Sequence, residues 1–475
     1  MASPSALLVL FLAAAPQAQP PAPPAGQPPP STPSAPVPFQ PKVEDPMLAP
    51  IPPAAEQVKT WDEALALVRQ RSTDLRVAEA GIERAQGRWR QSLSLLLPNA
   101  RASAGLGLDV LHPDTPSAPG GGFVGGGANV NGGTGAKVPS APLGTLSVSL
   151  TQSLVDVGAW RGLSSARASE RASVATFKDT QRRLTQGLAQ VLVATVAAER
   201  AAEINRVGLR QALERQALTQ RSFELGAGTQ LDVVRVSQDV ALARQSLVAG
   251  DEQLRQTREA LGLSLGTDHG VGVNPDFNLA GLVEQTRRDC SPLDEPGARA
   301  DLLAAKANVD AARDSRRQAS AGYLPTLGVS STLLGLTTEP GFGRFALWNV
   351  SAVLSVPLWE GGLRGGLVRE RAGVEEQAAQ QLEAARRNVG VEVSRARRGV
   401  EVSEALLKTA AESLDLADRT DRLTRRAFEV GRGGSLELVQ SGAALRQAQL
   451  ALVLREFELV QARLDAFLTE ARCDW

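Results

Sequence analysis

Residues Phe223–Val234 read FELGAGTQLDVV, and residues Phe428–Val439 read FEVGRGGSLELV. The second stretch is nearly the first, shifted by 205 positions from Phe223 to Phe428. In each, a glycine pair (Gly226 and Gly228; Gly431 and Gly433) follows a long apolar-periodic run. Glycine takes the left-handed conformation that ends helices. Leu231 or Leu436 then restarts an apolar face. Each stretch therefore predicts the tip of a helical hairpin, and two tips predict a duplicated unit.

The duplication extends outward from the tips. DLRVAEAGIERA from Asp74 matches DLLAAKANVDAA from Asp301, and LLPNARAS from Leu96 matches YLPTLGVS from Tyr323, both at a shift of 227. LSVSLTQSLVDVG from Leu146 matches VSAVLSVPLWEGG from Val350 at a shift of 204. The first copy thus holds a longer insertion, Asp109–Pro142, whose Gly, Pro and Ser content predicts a loop. Each copy reads helix, strand, loop, strand, long helix, turn, helix. Thr60 and Glu63 form a capping-box signal for the first helix. Pro98 and Pro325 end the first helix of each copy, because proline disfavours the helical state in the residue before it. The expected division is 1–18 signal peptide, 19–56 disordered Pro-rich tether, 57–270 repeat 1, 271–297 linker and 298–475 repeat 2.

No proline interrupts 163–223 or 367–428, so each predicts a helix of about 90 Å at 1.5 Å per residue. Small apolar residues recur at Val374, Ala378, Leu382, Ala385, Val389, Val393, Ala396 and Val400. That eleven-residue repeat predicts nearly straight or slightly right-handed helices, suited to packing as staves or as an ordinary elongated bundle.

Four strands are predicted near 100–108, 145–155, 326–336 and 347–358. Leu146, Val148 and Leu150 alternate with Ser147, Ser149 and Thr151; Trp348, Val350, Ala352, Leu354 and Val356 alternate with Asn349, Ser351 and Ser355. Any one-sided sheet alternates so, but these lengths are close to the ~9–11 residues of a tilted transmembrane strand. Trp348 and Trp359 bracket the last strand at about 25 Å in height, the spacing of two membrane-interface girdles. Four strands cannot close a barrel, and open edges are not tolerated in lipid, so membrane-spanning strands would require several copies of the chain.

Composition narrows the function. Lys+Arg and Asp+Glu are 51 each, without the basic excess of a nucleic-acid binder. Aromatics are 4%, which suits long helices. The apolar run Ala6–Ala15, followed by small residues, reads as a secretory signal cleaved near Ala15 or Ala18, although no Lys or Arg precedes it. Pro16–Pro53 reads as an extended tether. Cys290 and Cys473 both lie far from the signal, so no lipid-anchor cysteine is expected; with His112 and His269 they form no metal-ligand cluster. No nucleophile elbow or phosphate loop is present, so neither an enzyme nor a cofactor is expected.

The paired Leu97–Pro98 and Leu324–Pro325 helix ends, PLWEGGLRGG from Pro357, SLVDVGAWRG from Ser153 and the two tips together resemble the TolC-type outer-membrane efflux protein family over roughly 57–472. The resemblance implies a mostly α fold with a small β part. It implies a homotrimer in which duplicated hairpins form an α-helical barrel through the periplasm and four strands per chain form a twelve-stranded barrel in outer-membrane lipid. It implies a passive exit duct of a tripartite efflux or type I secretion system, partnered by a periplasmic adaptor at the tips (Gly226, Gly228, Gly431, Gly433) and an inner-membrane pump. The alternative, a periplasmic coiled-coil adaptor or scaffold, is disfavoured because such adaptors bring one hairpin flanked by compact β-domains.

In the family, acidic residues line a pinched periplasmic entrance. The matching positions are Asp232 and Glu437, six carboxylates in a trimer, whose mutual repulsion would raise their pKa values. The alternative role is complementing the helix dipole. A basic residue of the family's lock is replaced by Gly433 or Gly434, leaving Arg235 or Arg432 as substitutes. The resemblance also places both cysteines outside the helical tunnel in an oxidising compartment. A disulfide needs Cα atoms within about 4.4–6.8 Å; two free thiols in mobile segments are the expectation. The exported substrate is not legible, although two His and two Met disfavour metal-ion relay.

Overall fold

The computed structural model describes residues 42–107, 143–337 and 345–475. The signal segment 1–18, the tether up to residue 41, His112 and the Asp109–Pro142 loop lie outside the described residues. The fold is that of the unit Val43–Trp475.

In chain order its elements are β1 (Glu56–Val58), α1 (Trp61–Arg71), α2 (Thr73–Ser94), β2 (Asn99–Gly107), β3 (Leu143–Val155), α3 (Val157–Glu224), α4 (Gln230–Leu265), β4 (Val271–Val273), α5 (Leu282–Asp289), β5 (Cys290–Pro292), α6 (Ala300–Ala321), β6 (Thr326–Thr337), β7 (Phe345–Ser355), α7 (Leu363–Glu429), α8 (Ser435–Thr469) and β8 (Ala471–Cys473). The order α2-β2-β3-α3-α4 recurs as α6-β6-β7-α7-α8. Helices α3 and α7 run 68 and 67 residues, about 100 Å each. No described helix is long and apolar enough to cross a membrane.

The first helix, expected to be continuous from Thr60, is broken at Ser72, whose Oγ accepts from the Leu75 N–H at 3.3 Å and caps α2. The capping box at Thr60 is also altered. Thr60 Oγ1 accepts from the Glu63 N–H, but the Glu63 carboxylate receives the N–H of Lys59, not of Thr60. The last strand ends at Ser355, not at residue 358. Pro357 has no N–H for a sheet ladder.

The four long strands form one antiparallel sheet in the order β2-β3-β6-β7. The β3–β6 pair joins the two copies, and β2 and β7 are left as open edges. Register puts Ala102, Val148, Leu333 and Trp348 in one row, and Arg101, Ser149, Thr332 and Asn349 in the adjacent row. Adjacent rows face opposite sides, so one face is chiefly apolar and the other chiefly hydroxyl and amide.

The main core lies where short elements wrap the helices. Trp61, Leu188, Leu192, Leu261, Leu265, Leu282 and Leu464 are buried together there. The Trp61 indole N–H donates to Asp289 at 2.8 Å, which satisfies its one polar atom. The 271–297 stretch, expected as a plain linker, supplies β4, α5 and β5 to this belt. Strand β4 pairs in parallel with β1, and β5 pairs with β8.

Cys290 and Cys473 sit opposite each other in the β5–β8 pair and are joined by a disulfide. This corrects the expectation of two free thiols. The segments are paired strands, not loose ends, with the cysteines 1% and 0% exposed. Residues 43–56, expected as the end of the tether, also lie against the helices. Val43, Met47 and Leu48 pack on Leu209, Leu213 and Leu247. Ile51 packs on Ala198, Ala202 and Leu254. Arg244 pairs with Asp45 at 2.8 Å, and Arg258 donates to the Pro52 carbonyl at 3.0 Å. Proline removes backbone donors, but these four apolar side chains give the segment a packed face.

Candidate aperture at the paired hairpin tips

Each tip is built by the same backbone turn. Gly226 and Gly431 have φ of 74° and 75°, the left-handed conformation that favours glycine. The N–H groups of Ala227 and Arg432 close the turns onto Ser222 and Ala427 carbonyls at 3.0 and 2.8 Å. The second glycines act differently from the expectation. Gly228 and Gly433 are not left-handed; a Cβ there would sit 3.2 and 3.0 Å from the N of Phe223 and of Phe428. They allow the chain to pass close to the preceding helix end.

After the turns the tips diverge. Thr229 caps α4 in a complete capping box with Asp232. Asp232 Oδ2 accepts from the Thr229 N–H at 3.0 Å and from its hydroxyl at 2.6 Å. The Ser435 hydroxyl, from the other hairpin, donates to Asp232 Oδ1. Arg235 lies 3.9 Å away, a loose ion pair. The Ser435 bond, then the Thr229 bonds and the charge of Arg235, hold the Asp232 carboxyl below its ordinary pKa. Within one chain this is opposite in direction to the upward push expected of a carboxylate ring.

The second tip has Gly434 at the cap with no side-chain cap bond. Glu437 occupies the position in α8 that Asp232 occupies in α4, the third residue after the cap. It is exposed, and its side chain has no hydrogen bond or ion pair among the described residues. Arg432 is likewise exposed on the turn. The structure thus brings Asp232 and Arg235 together with Ser435, and leaves Glu437 and Arg432 facing solvent. Sequence reasoning missed Ser435, for which the only signal was its place as the first residue of the second restart.

About 10 Å further along α4 lies a buried charge cluster, also unanticipated. Arg215 of α3 donates to Asp239 at 2.8 Å, with side chains 3% and 2% exposed. Arg446 of α8 reaches the same carboxylate at 3.5 Å. Two helix-interior glycines make room for them. A Cβ on Gly442 would lie 2.6 Å from Arg215 Nη1, and one on Gly208 would lie 2.5 Å from Arg446 Cδ.

At the other end of the molecule, Trp348 lies on the apolar face of β7, 74% exposed, with its indole N–H on Ser331 Oγ at 2.9 Å. Trp359 is 87% exposed but lies four residues past the end of β7, outside the sheet. Among the described residues no three His, Cys, Asp or Glu side chains converge as metal ligands do.

The family described as "Outer membrane efflux protein" matches residues 64–267 and 297–465. Among similar proteins, "Outer membrane protein TolC" of Salmonella enteritidis is 24% identical over 327 residues, covering 64% of this chain and 64% of that protein. The chain thus spans less than two thirds of that relative's length. "Outer membrane protein TolC" of Vibrio cholerae is 24% identical over 337 residues, covering 67% of this chain and 74% of that protein. Among solved structures, the outer membrane protein VceC of Vibrio cholerae superposes with a TM-score of 0.69 at 16% identity, covering 86% of this chain and 95% of that one. The CmeC outer membrane channel of Campylobacter jejuni superposes with a TM-score of 0.71 at 13% identity, covering 90% and 94%.

Proposed function

From the premise that this chain belongs to the outer membrane efflux protein family, we propose that it is the passive exit duct of a tripartite efflux or type I secretion system. Three copies close one twelve-stranded barrel in the outer membrane. Their helices continue it as a tunnel into the periplasm, and the tips form its entrance, where a periplasmic adaptor and, through it, an inner-membrane pump engage. The observation that carries this reading is the open four-stranded sheet with one apolar face. In lipid, the unpaired N–H and C=O groups of β2 and β7 would each cost several kcal/mol, on the order of the penalty for burying a polar group. Pairing β2 of one copy with β7 of the next removes both edges.

At the entrance, Glu437 is the free carboxylate that meets passing ions, with Arg432 beside it on the turn. Asp232 serves in the resting state as a tie: its carboxylate holds the first tip's cap and grips Ser435 of the second. Parting the tips exposes it and adds its charge to the pore.

The test is the assembly and its conductance. The protein in mild detergent is expected to scatter as a trimer after detergent is subtracted and to open ion-conducting pores in planar bilayers. A monodisperse monomer without conductance would overturn the reading. Replacing both Asp232 and Glu437 by Ala is expected to lower the cation preference of those pores; unchanged selectivity and conductance would return both residues to dipole complementation.

A further inference from the structure

Among the described residues of the four long strands, Arg101 is the only Asp, Glu, Lys, Arg or His. It stands third in β2, about 7 Å from the strand's helix-side end at ~3.3 Å per residue. Its row across the sheet is Arg101, Ser149, Thr332, Asn349. The neighbouring rows on the same face add Ser103 opposite Ser147 and Ser330 opposite Ser351, whose hydroxyls bond at 2.7 and 2.8 Å. The opposite face carries Ala102, Val148, Leu333 and Trp348, the composition that faces lipid in a membrane barrel. Arg101 therefore points to the lumen.

Its charge has no partner among the described residues. The side chain makes no ion pair or hydrogen bond among the described residues, and it is exposed. Closing the barrel sets no acidic strand residue beside it either. Arg101 lies on the edge strand β2, and the strand that pairs with it in a ring is β7 of the next copy. No residue of β7 is acidic, so this holds whatever register that pairing takes. Symmetry then sets three arginines at one level, each in a row of Ser, Thr and Asn donors, with no counter-charge among the described strand residues. Like charges without a protein counter-ion draw anions from solution, and a lumen walled by low-dielectric lipid strengthens that attraction.

We propose that the Arg101 ring is an anion-binding site just beyond the junction of tunnel and barrel, selecting for solutes that carry carboxylate or phosphate groups at the exit step. This rests on the trimeric duct reading above. The guanidinium offers paired N–H donors that fit such oxyanions. The ring lies in series with the tip carboxylates and has the opposite sign. The duct thus bears a cation-attracting entrance and an anion-attracting exit, and a solute carrying both charges meets a favourable group at each end.

The experiment uses the full chain in planar bilayers, with inorganic tripolyphosphate added on the barrel side, where it meets the ring before the tips. Wild-type current is expected to be blocked, with the half-blocking concentration rising as salt rises, because ionic strength screens the attraction. Arg101→Lys keeps the charge and should keep the block. Arg101→Gln is expected to need at least tenfold more tripolyphosphate, and its reversal potential in a KCl gradient should move toward cation preference. A wild-type channel insensitive to tripolyphosphate, or an Arg101→Gln channel with wild-type block and reversal potential, would overturn the inference while leaving the duct intact. Absence of any wild-type conductance would overturn the duct reading and this inference with it.

Discussion

Helices α3 and α7 occupy the same place in the two copies and differ by one residue in length, yet their surroundings differ sharply. Twenty-two residues of α3 are buried. On α7 only Leu382, Val389 and Asp421 are. Helix α3 packs against α2, α4, α6 and α8, whereas α7 packs chiefly against α6 and α8. The bare side of α7 is not polar: Val391, Val402, Leu416 and Leu423 are 57%, 56%, 63% and 67% exposed. A duplicated sequence has therefore produced one internal stave and one with an unfilled apolar side. In the proposed trimer the neighbouring copy covers that side.

The sharpest test of this contrast sets a buried carboxylate of the α3 environment against one on α7. Asp239→Ala strands the Arg215 guanidinium and weakens the anchoring of Arg446. Removing one partner of a buried ion pair costs about 3–5 kcal/mol. Asp421 accepts from Ser441 at 3.1 Å and has Arg425 at 3.6 Å, but Arg425 is 41% exposed and water can solvate it. Asp421→Ala should therefore cost about 1 kcal/mol. Denaturant midpoints in detergent would compare them, and equal losses would contradict the contrast.

The clasp between the ends of the two copies comes next. The Cys290–Cys473 bond spans 183 residues, and loss of such a bond typically costs about 2–5 kcal/mol. Intact mass after alkylation without reductant should show no added alkyl groups; two per chain would contradict the bond. Cys473→Ser should lower the unfolding midpoint correspondingly, and an unchanged midpoint would contradict the clasp.

A third variant addresses the bare side of α7. Leu416→Asp with Leu423→Asp should leave the helical circular dichroism of the chain unchanged. It should weaken trimer association at least tenfold, about 1.4 kcal/mol, as read by light scattering across a dilution series. A trimer of undiminished stability would show that another surface joins the copies.

The fold was legible because its signals are periodic and written twice. The FE-G tips, the Leu-Pro helix ends and the alternation of Leu146, Val148 and Leu150 each report a local backbone requirement that a short window contains. The eleven-residue pattern on α7 also held as a face: Leu382 and Val389 are buried and, of the others, Val374 alone is exposed. What escaped reading depends on residues far apart in the chain. The disulfide needs β5 and β8 paired across 183 residues. Asp239 receives arginines from two other helices, and the one local trace of that is a pair of helix-interior glycines, Gly208 and Gly442. At the candidate aperture, the tip turns and the matched positions of Asp232 and Glu437 were legible. That Ser435 would claim Asp232 was not, because the bond crosses between hairpins.

The smallest expected effects concern the tips themselves, where two copies of one motif have different caps. Thr229 gives α4 a full capping box, and Gly434 gives α8 none. Thr229→Ala should cost about 1 kcal/mol, the usual loss for an N-cap. Gly434→Ser should gain only a few tenths of a kcal/mol, about the difference between glycine and a good cap. The asymmetry also carries a pH signature. Asp232 is held below its ordinary pKa by Ser435 and Thr229. A depressed folded-state pKa contributes stability that is present above the unfolded value and lost as pH falls through the folded one. The stability gap between wild type and Asp232→Asn should thus be constant near pH 7 and shrink once pH drops below about 3.9, the ordinary aspartate value. Hydrogen exchange of the amides at the start of α4, followed from pH 7 to pH 3 with the chemical rate divided out, reads this directly. If the gap instead narrowed between pH 5 and pH 7, Asp232 would be a carboxylate raised by its neighbours, and the tie between the tips would not exist as described.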